Sequence, residues 1–111
     1  MIKILIIRNQ LGNISGYKVK GHANFDAYGK DIVCSAVSAT TQMITNGLME
    51  IVGVHLTIRK LEGLMDCHLP DHLPIRKRED ANVLLETMLL SLQNISLDYP
   101  HYISIEERKV E

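Results

Sequence analysis

The chain has no tryptophan, a single phenylalanine, only two cysteines and three prolines in 111 residues. So few cysteines exclude a disulfide-stapled secreted scaffold, since one bridge at most could form. An excess of charge is also missing. Twelve basic against 13 acidic side chains leave a net charge of -1, which excludes nucleic-acid attraction by a field spread over the whole surface. No apolar run approaches the ~20 residues needed to cross a bilayer. The apolar opening MIKILIIRN is interrupted by Lys3 and Arg8 and has no small-residue cleavage pattern, so it is not expected to be a signal peptide. Together these absences predict a cytoplasmic protein with no membrane partner, no direct nucleic-acid contact and no cofactor, in which Cys34 and Cys67 both remain thiols.

What is present is the composition of one self-sufficient core. Hydrophobic residues make up 46% and charged residues 23% of the chain, and the length suits a single domain over residues 1–111. Ile2 to Ile7 reads as a strand covered on both faces or lying at the edge of a well-covered sheet. After a turn in NQLGN, the alternation of Tyr17 and Val19 with Lys18 and Lys20 predicts a second strand. From Ile32 the period lengthens: Val33, Val37, Thr40, Ile44, Leu48 and Ile51 mark one face of a helix, with Asp31 as N-cap and Gly53 at its end. Gly47 within it implies a close approach to the sheet or to a partner. Val54, Leu56 and Ile58, then Met65, Cys67 and Leu69, alternate about a turn at Glu62 and Gly63, predicting a second hairpin. Ala81, Leu84, Leu85, Met88, Leu92 and Ile95 form a second helical stripe that stops before Pro100. Tyr102 to Glu107 is a last strand. The order ββαββαβ predicts an α+β two-layer sandwich, a mixed sheet of about five strands with both helices on one face. The other sheet face can meet water if it carries the lysines of the second strand; any apolar remainder favours a dimer.

Within GHANFDAYGKDIVCSAVSA, His22 ends a strand and Cys34 falls in the first helical turn. Backbone amides and the positive end of the helix dipole favour an anion there, and the nucleophilic form of cysteine is the thiolate. An imidazole within reach could take the thiol proton and return it to a leaving amine, while first-turn amides receive an oxyanion. Asp31 has opposing effects, holding the turn as a cap but disfavouring a nearby thiolate. No carboxylate is evidently placed to orient His22, which makes a dyad the simpler arrangement. Gly21 and Gly29 bracket a segment containing Phe25 and Tyr28, a candidate substrate loop; the same aromatics would equally serve by packing on their own domain. By spacing alone, a structural histidine and a structural cysteine remain open.

The run Gly21-His22-Ala23, then Tyr28-Gly29-Lys30-Asp31-Ile32-Val33-Cys34, then Ala36-Val37-Ser38 resembles the signature of the bacterial ribosomal-processing cysteine protease family, Prp. It departs from that pattern at Ser35, where alanine is expected, and at Asn24-Phe25, where a Gly-Tyr-like pair is common. The resemblance implies a homodimeric cysteine endopeptidase that removes a hydrophobic N-terminal extension from a large-subunit ribosomal protein. His22 and Cys34 would be its dyad, Asp31 a local support and Ser38 a further one.

Two other readings compete. Cys67, His68 and His72, with Asp66 or Asp71, contain the residue types of a zinc site, but successive strand residues point to opposite faces and Pro70 prevents a helix from aligning the two histidines. No metal is expected, and Cys67 is read as a small buried hydrophobe. His55 and His101 are read as surface residues. The basic stretch Ile75 to Arg78 would support a non-catalytic ribosome-associated module binding protein or RNA, although Glu79 and Asp80 follow at once, as at a solvated helix start.

Overall fold

The computed structural model describes residues 1–27 and 30–110. Strand β1 (Ile2–Arg8) buries Ile2, Ile4 and Ile6 and leaves Lys3 exposed, so its isoleucine run is a period-two strand with one core face. Its outer positions Leu5 and Ile7 are only half-covered, because the second face meets no layer. Strand β2 (Ile14–Lys20) returns antiparallel, pairing Ile6 with Tyr17 and Ile4 with Val19. Helix α1 (Ile32–Asn46) continues into a π-helical segment, Gly47–Val52. Strands β3 (Thr57–Leu61) and β4 (Leu64–His68) form the second hairpin, α2 spans Ile75–Asp98, and β5 (Ile103–Lys109) closes the order ββαββαβ.

The five strands lie in the order β3-β4-β2-β1-β5, with β1 and β5 parallel and the other pairs antiparallel. The expected α+β two-layer architecture is therefore the observed one. Ile4, Ile6, Tyr17 and Cys67 on the sheet meet Val33, Val37 and Leu48 of the first helical stretch and Leu85, Met88 and Leu92 of α2 in one buried core. The open sheet face is dressed in charge: Lys18 stands opposite Leu5 on one side and Asp66 on the other, and Asp66 stands opposite Arg59. Such cross-strand pairing keeps a solvent-facing sheet soluble.

Three local differences from the expected pattern have clear causes. Thr41 and Thr45 are buried rather than Thr40, their hydroxyls satisfied by the carbonyls of Val37 and Thr41. Ile51 is 85% exposed, because the wider π-helical turn rotates the stripe so that Leu48 points inward and Ile51 does not. That turn begins at Gly47, where a Cβ would stand 3.3 Å from the Leu84 side chain of α2; the close approach anticipated at Gly47 is to the other helix. Finally, β3 starts only at Thr57 and every one of its residues is exposed. The helices stop short of this edge, and the uncovered hairpin becomes the wall of a groove.

Candidate active site

Asp31 organises the whole connection between β2 and α1. Its Oδ1 accepts hydrogen bonds from the Val33 and Cys34 amides, both at 3.0 Å, as an N-cap does, and its Oδ2 accepts from the Phe25 amide at 3.0 Å. The carboxylate is 6% exposed. Burial pushes its pKa up, but the amides of Cys34 and Phe25 outweigh burial and leave it below the ordinary carboxylate value. One side chain thus starts the helix and fastens the preceding loop to it.

The fastened loop carries Asn24 with φ 56°, a left-handed conformation that asparagine tolerates better than most residues. The turn brings the Ala23 amide to Cys34, where its N–H donates to Sγ across 3.2 Å. The residue after His22 therefore touches the sulfur directly. His22 and Cys34 open onto one groove of about 600 Å³, bounded by α1 on one side and the β3–β4 hairpin on the other. Val19, Val37 and Met65 supply apolar lining; Ser38, Thr41 and Gln42 supply polar groups.

The expected oxyanion donors are differently arranged. Val33 N–H and Cys34 N–H are committed to Asp31 Oδ1, and Ser35 N–H donates to the Asp31 carbonyl at 3.0 Å. The donor that addresses the sulfur is instead the Ala23 amide. Nothing in the sequence marks that amide, because it is delivered by a backbone turn and not by a side chain. The contribution of the β3–β4 hairpin to the groove was equally hidden; its only sequence trace is that Ile58 and Leu61 lie on a strand with no helix left to cover them.

The structure separates the remaining candidates. Ser38 is exposed and lines the groove. Gly21, at φ 94°, donates its N–H to the Gly63 carbonyl at 2.9 Å and sets the strand end from which His22 projects. Phe25 packs edge-on against Tyr99 and Tyr102, with ring centroids 5.5 and 5.2 Å away, and so ties the loop to the α2–β5 connection. Tyr28 and Gly29 lie outside the described residues. Cys67 is fully buried beside Tyr17, and burial pushes its thiol pKa up. Neighbouring His68 points to the open face and pairs with Asp66 at 2.9 Å. Among the described residues, no group of three or more His, Cys, Asp or Glu is placed to hold a metal ion. His55 and His101 are exposed.

A family model described as cysteine protease Prp matches residues 1–104. The chain is 33% identical over 101 residues to the ribosomal processing cysteine protease Prp of Bacillus subtilis, covering 89% of this chain and 90% of that one. To the protein of the same name from Mycoplasma genitalium it is 34% identical over 113 residues, covering 100% of both. Its fold is similar to that of the essential ribosomal processing protease Prp from S. aureus in complex with a covalently linked product peptide, with a TM-score of 0.86 at 29% identity over 96% of this chain and 99% of that one. The same S. aureus protease in complex with a substrate peptide gives a TM-score of 0.82 at 28% identity, with the same coverage.

Proposed function

Since the chain belongs to the cysteine protease Prp family, we propose that it is an endopeptidase that removes the N-terminal extension of a large-subunit ribosomal protein, with Cys34 and His22 as its dyad. The observation that carries this assignment is the contact between the Ala23 amide and Cys34 Sγ at the head of the groove, with His22 on the same groove. His22 takes the thiol proton as Sγ attacks the scissile carbonyl carbon. The carbonyl oxygen, now an anion, accepts from the Ala23 N–H, because a donor beside the sulfur is also beside the oxygen of the atom that sulfur attacks. His22 then protonates the departing amine, which is the new N-terminus of the mature ribosomal protein. The extension stays on Cys34 as a thioester until His22 deprotonates a water that releases it as a carboxylate. Asp31 supports the dyad by fixing both its flanks, Ser38 offers a hydroxyl to the bound peptide, and Gly21, Asn24 and Asp26 of the loop border it.

The rest of the assignment follows from the same premise. Among the described residues, no helix is long and apolar enough to cross a membrane, and we place the enzyme in the cytoplasm, where ribosomal proteins are its substrates. A homodimer is supported by α2, which exposes Val83, Leu90 and Leu97 at seven-residue spacing, each at least 59% exposed. Light scattering should give about twice 12.5 kDa, and Leu90→Glu should halve it. The competing binding-module reading is weakened at its basic patch: Lys77 Nζ donates to the Gly53 carbonyl and Arg78 to the Ile14 carbonyl, so two of its three cations are engaged by the fold, beside the exposed Arg76.

The deciding experiment incubates the protein with the full-length ribosomal protein of its source organism and locates the cut by mass spectrometry. One cut near the substrate N-terminus, lost in Cys34→Ala, is the expected result. An uncut substrate, or a cut that survives in Cys34→Ala, overturns the assignment.

A further inference from the structure

The catalytic histidine lacks the usual means of orientation: among the described residues, no hydrogen bond or ion pair is made by the His22 ring. It rests instead on the turn between β3 and β4. Leu61 and Leu64 pair across a two-residue loop, Glu62 and Gly63, in which Gly63 has φ 70°. Its carbonyl accepts from the Gly21 amide at 2.9 Å, gripping the backbone just before His22. Its bare Cα faces the imidazole: a Cβ built at Gly63 would stand 3.1 Å from His22 Nε2 and within 3.8 Å of Cε1 and Cδ2.

We propose that Gly63 is the positioning residue of His22, its carbonyl fixing the strand end and its missing side chain leaving the seat that the imidazole occupies. The proposal rests on the dyad assigned above. It makes a sequence-distant hairpin tip part of the catalytic arrangement, and gives steric packing the orienting task for which other enzymes use a carboxylate.

The molecule contains its own control. Gly12, in the β1–β2 turn, has φ 85°, yet a Cβ there would meet nothing within 4 Å. Alanine at Gly12 thus suffers the left-handed backbone strain alone, whereas alanine at Gly63 suffers that strain and also pushes the exposed His22 ring by a few tenths of an ångström from its seat. Gly63→Ala should lower kcat by about tenfold or more with KM little changed, slow iodoacetamide labelling of Cys34 and shift the acid limb of the pH profile; Gly12→Ala should move none of these. Gly63→Asn, in which asparagine tolerates the backbone angle but still presents a Cβ, should behave like Gly63→Ala.

A thermal-melting cycle tests the contact without any need for proteolysis. In the parent, Gly63→Ala should lower Tm by about 5 °C more than Gly12→Ala does. In a His22→Ala background the two substitutions should cost the same, since the displaced ring is gone. Should Gly63→Ala unfold the parent, refolding in the His22→Ala background supports the proposal and unfolding in both overturns it. Equal costs in the parent, or full kcat in Gly63→Ala, also overturn it. Because melting is read on any folded chain, a failed cycle is distinct from a failed protease assignment.

Discussion

Cys34 and Cys67 carry the same functional group, and both pack against the core formed between the helices and the sheet. Cys67 sits on a central strand, fully buried beside Tyr17, where burial holds the thiol neutral. Cys34 sits at the rim of the groove, partly exposed, capped by Asp31 through its own amide and touched on sulfur by the Ala23 N–H. What separates the proposed nucleophile from a packing residue is therefore backbone geometry: which amides arrive, and whether solvent does. Of the two groups that bond Cys34, Asp31 acts through its side chain and Ala23 through the main chain.

Exchanging the proposed nucleophile breaks the comparison most severely. Cys34→Ala should reduce cleavage by on the order of 10⁴-fold or more, while Cys67→Ala should leave kcat/KM nearly unchanged; equal losses would put the chemistry elsewhere. His22→Ala should lower kcat by ~10²–10⁴-fold, with bound peptide retained in a titration on the Cys34→Ala protein. Iodoacetamide sharpens the contrast without a substrate: at neutral pH it should label Cys34 and reach Cys67 only after unfolding, as peptide mapping would read.

These tests depend on residues whose visibility in the sequence was uneven. His22, Asp31 and Cys34 could be singled out because each is a chemically distinctive side chain at a strand end, a helix cap or a first turn. The element order was legible because the apolar positions of β2, β4, α1 and α2 keep their periods. The exposure of Ile51 was not, since a π-helical turn changes the period within a continuous helix and depends on Leu84 meeting Gly47. Nor was the groove. It exists because β3 extends beyond the reach of the helices, and that depends on how helices pack across the sheet, which no window of residues encodes.

A smaller effect concerns the cap. Asp31→Ala removes acceptors for three amides and should cost about 1–2 kcal/mol in denaturant unfolding, with a larger proportional loss of cleavage because the Ala23 turn loosens. The folded-state pKa of Asp31 lies below the ordinary carboxylate value. Its stabilisation is thus complete above the unfolded value of about 4 and is lost as pH falls through the folded value. Asp31→Asn should accordingly flatten the acid side of the stability curve; an unchanged slope would mean that other carboxylates dominate it. Cys67→Ala is expected to be the mildest, costing about 1–2 kcal/mol in stability for the small void beside Tyr17 and nothing in rate.

The parallel ladder between β1 and β5 pairs Ile2 with Ile103 and Arg8 with Lys109. It joins segments roughly 100 residues apart, so closing it requires nearly the whole chain to be in place, and loop-closure entropy makes such pairing late and slow. Until then the isoleucine-rich edge of β1 stands open beside β2 as a template for any passing strand. When β5 arrives it covers that edge with a strand ending in Glu106, Glu107, Arg108 and Lys109, and Arg8 bonds Glu107 at 2.9 Å and Glu86 of α2 at 2.6 Å. The last strand is thus the guard against aggregation as well as the completion of the sheet. A chain ending at Asp98 would keep His22 and Cys34 yet lose the cover that keeps β1 from pairing with its neighbours in solution.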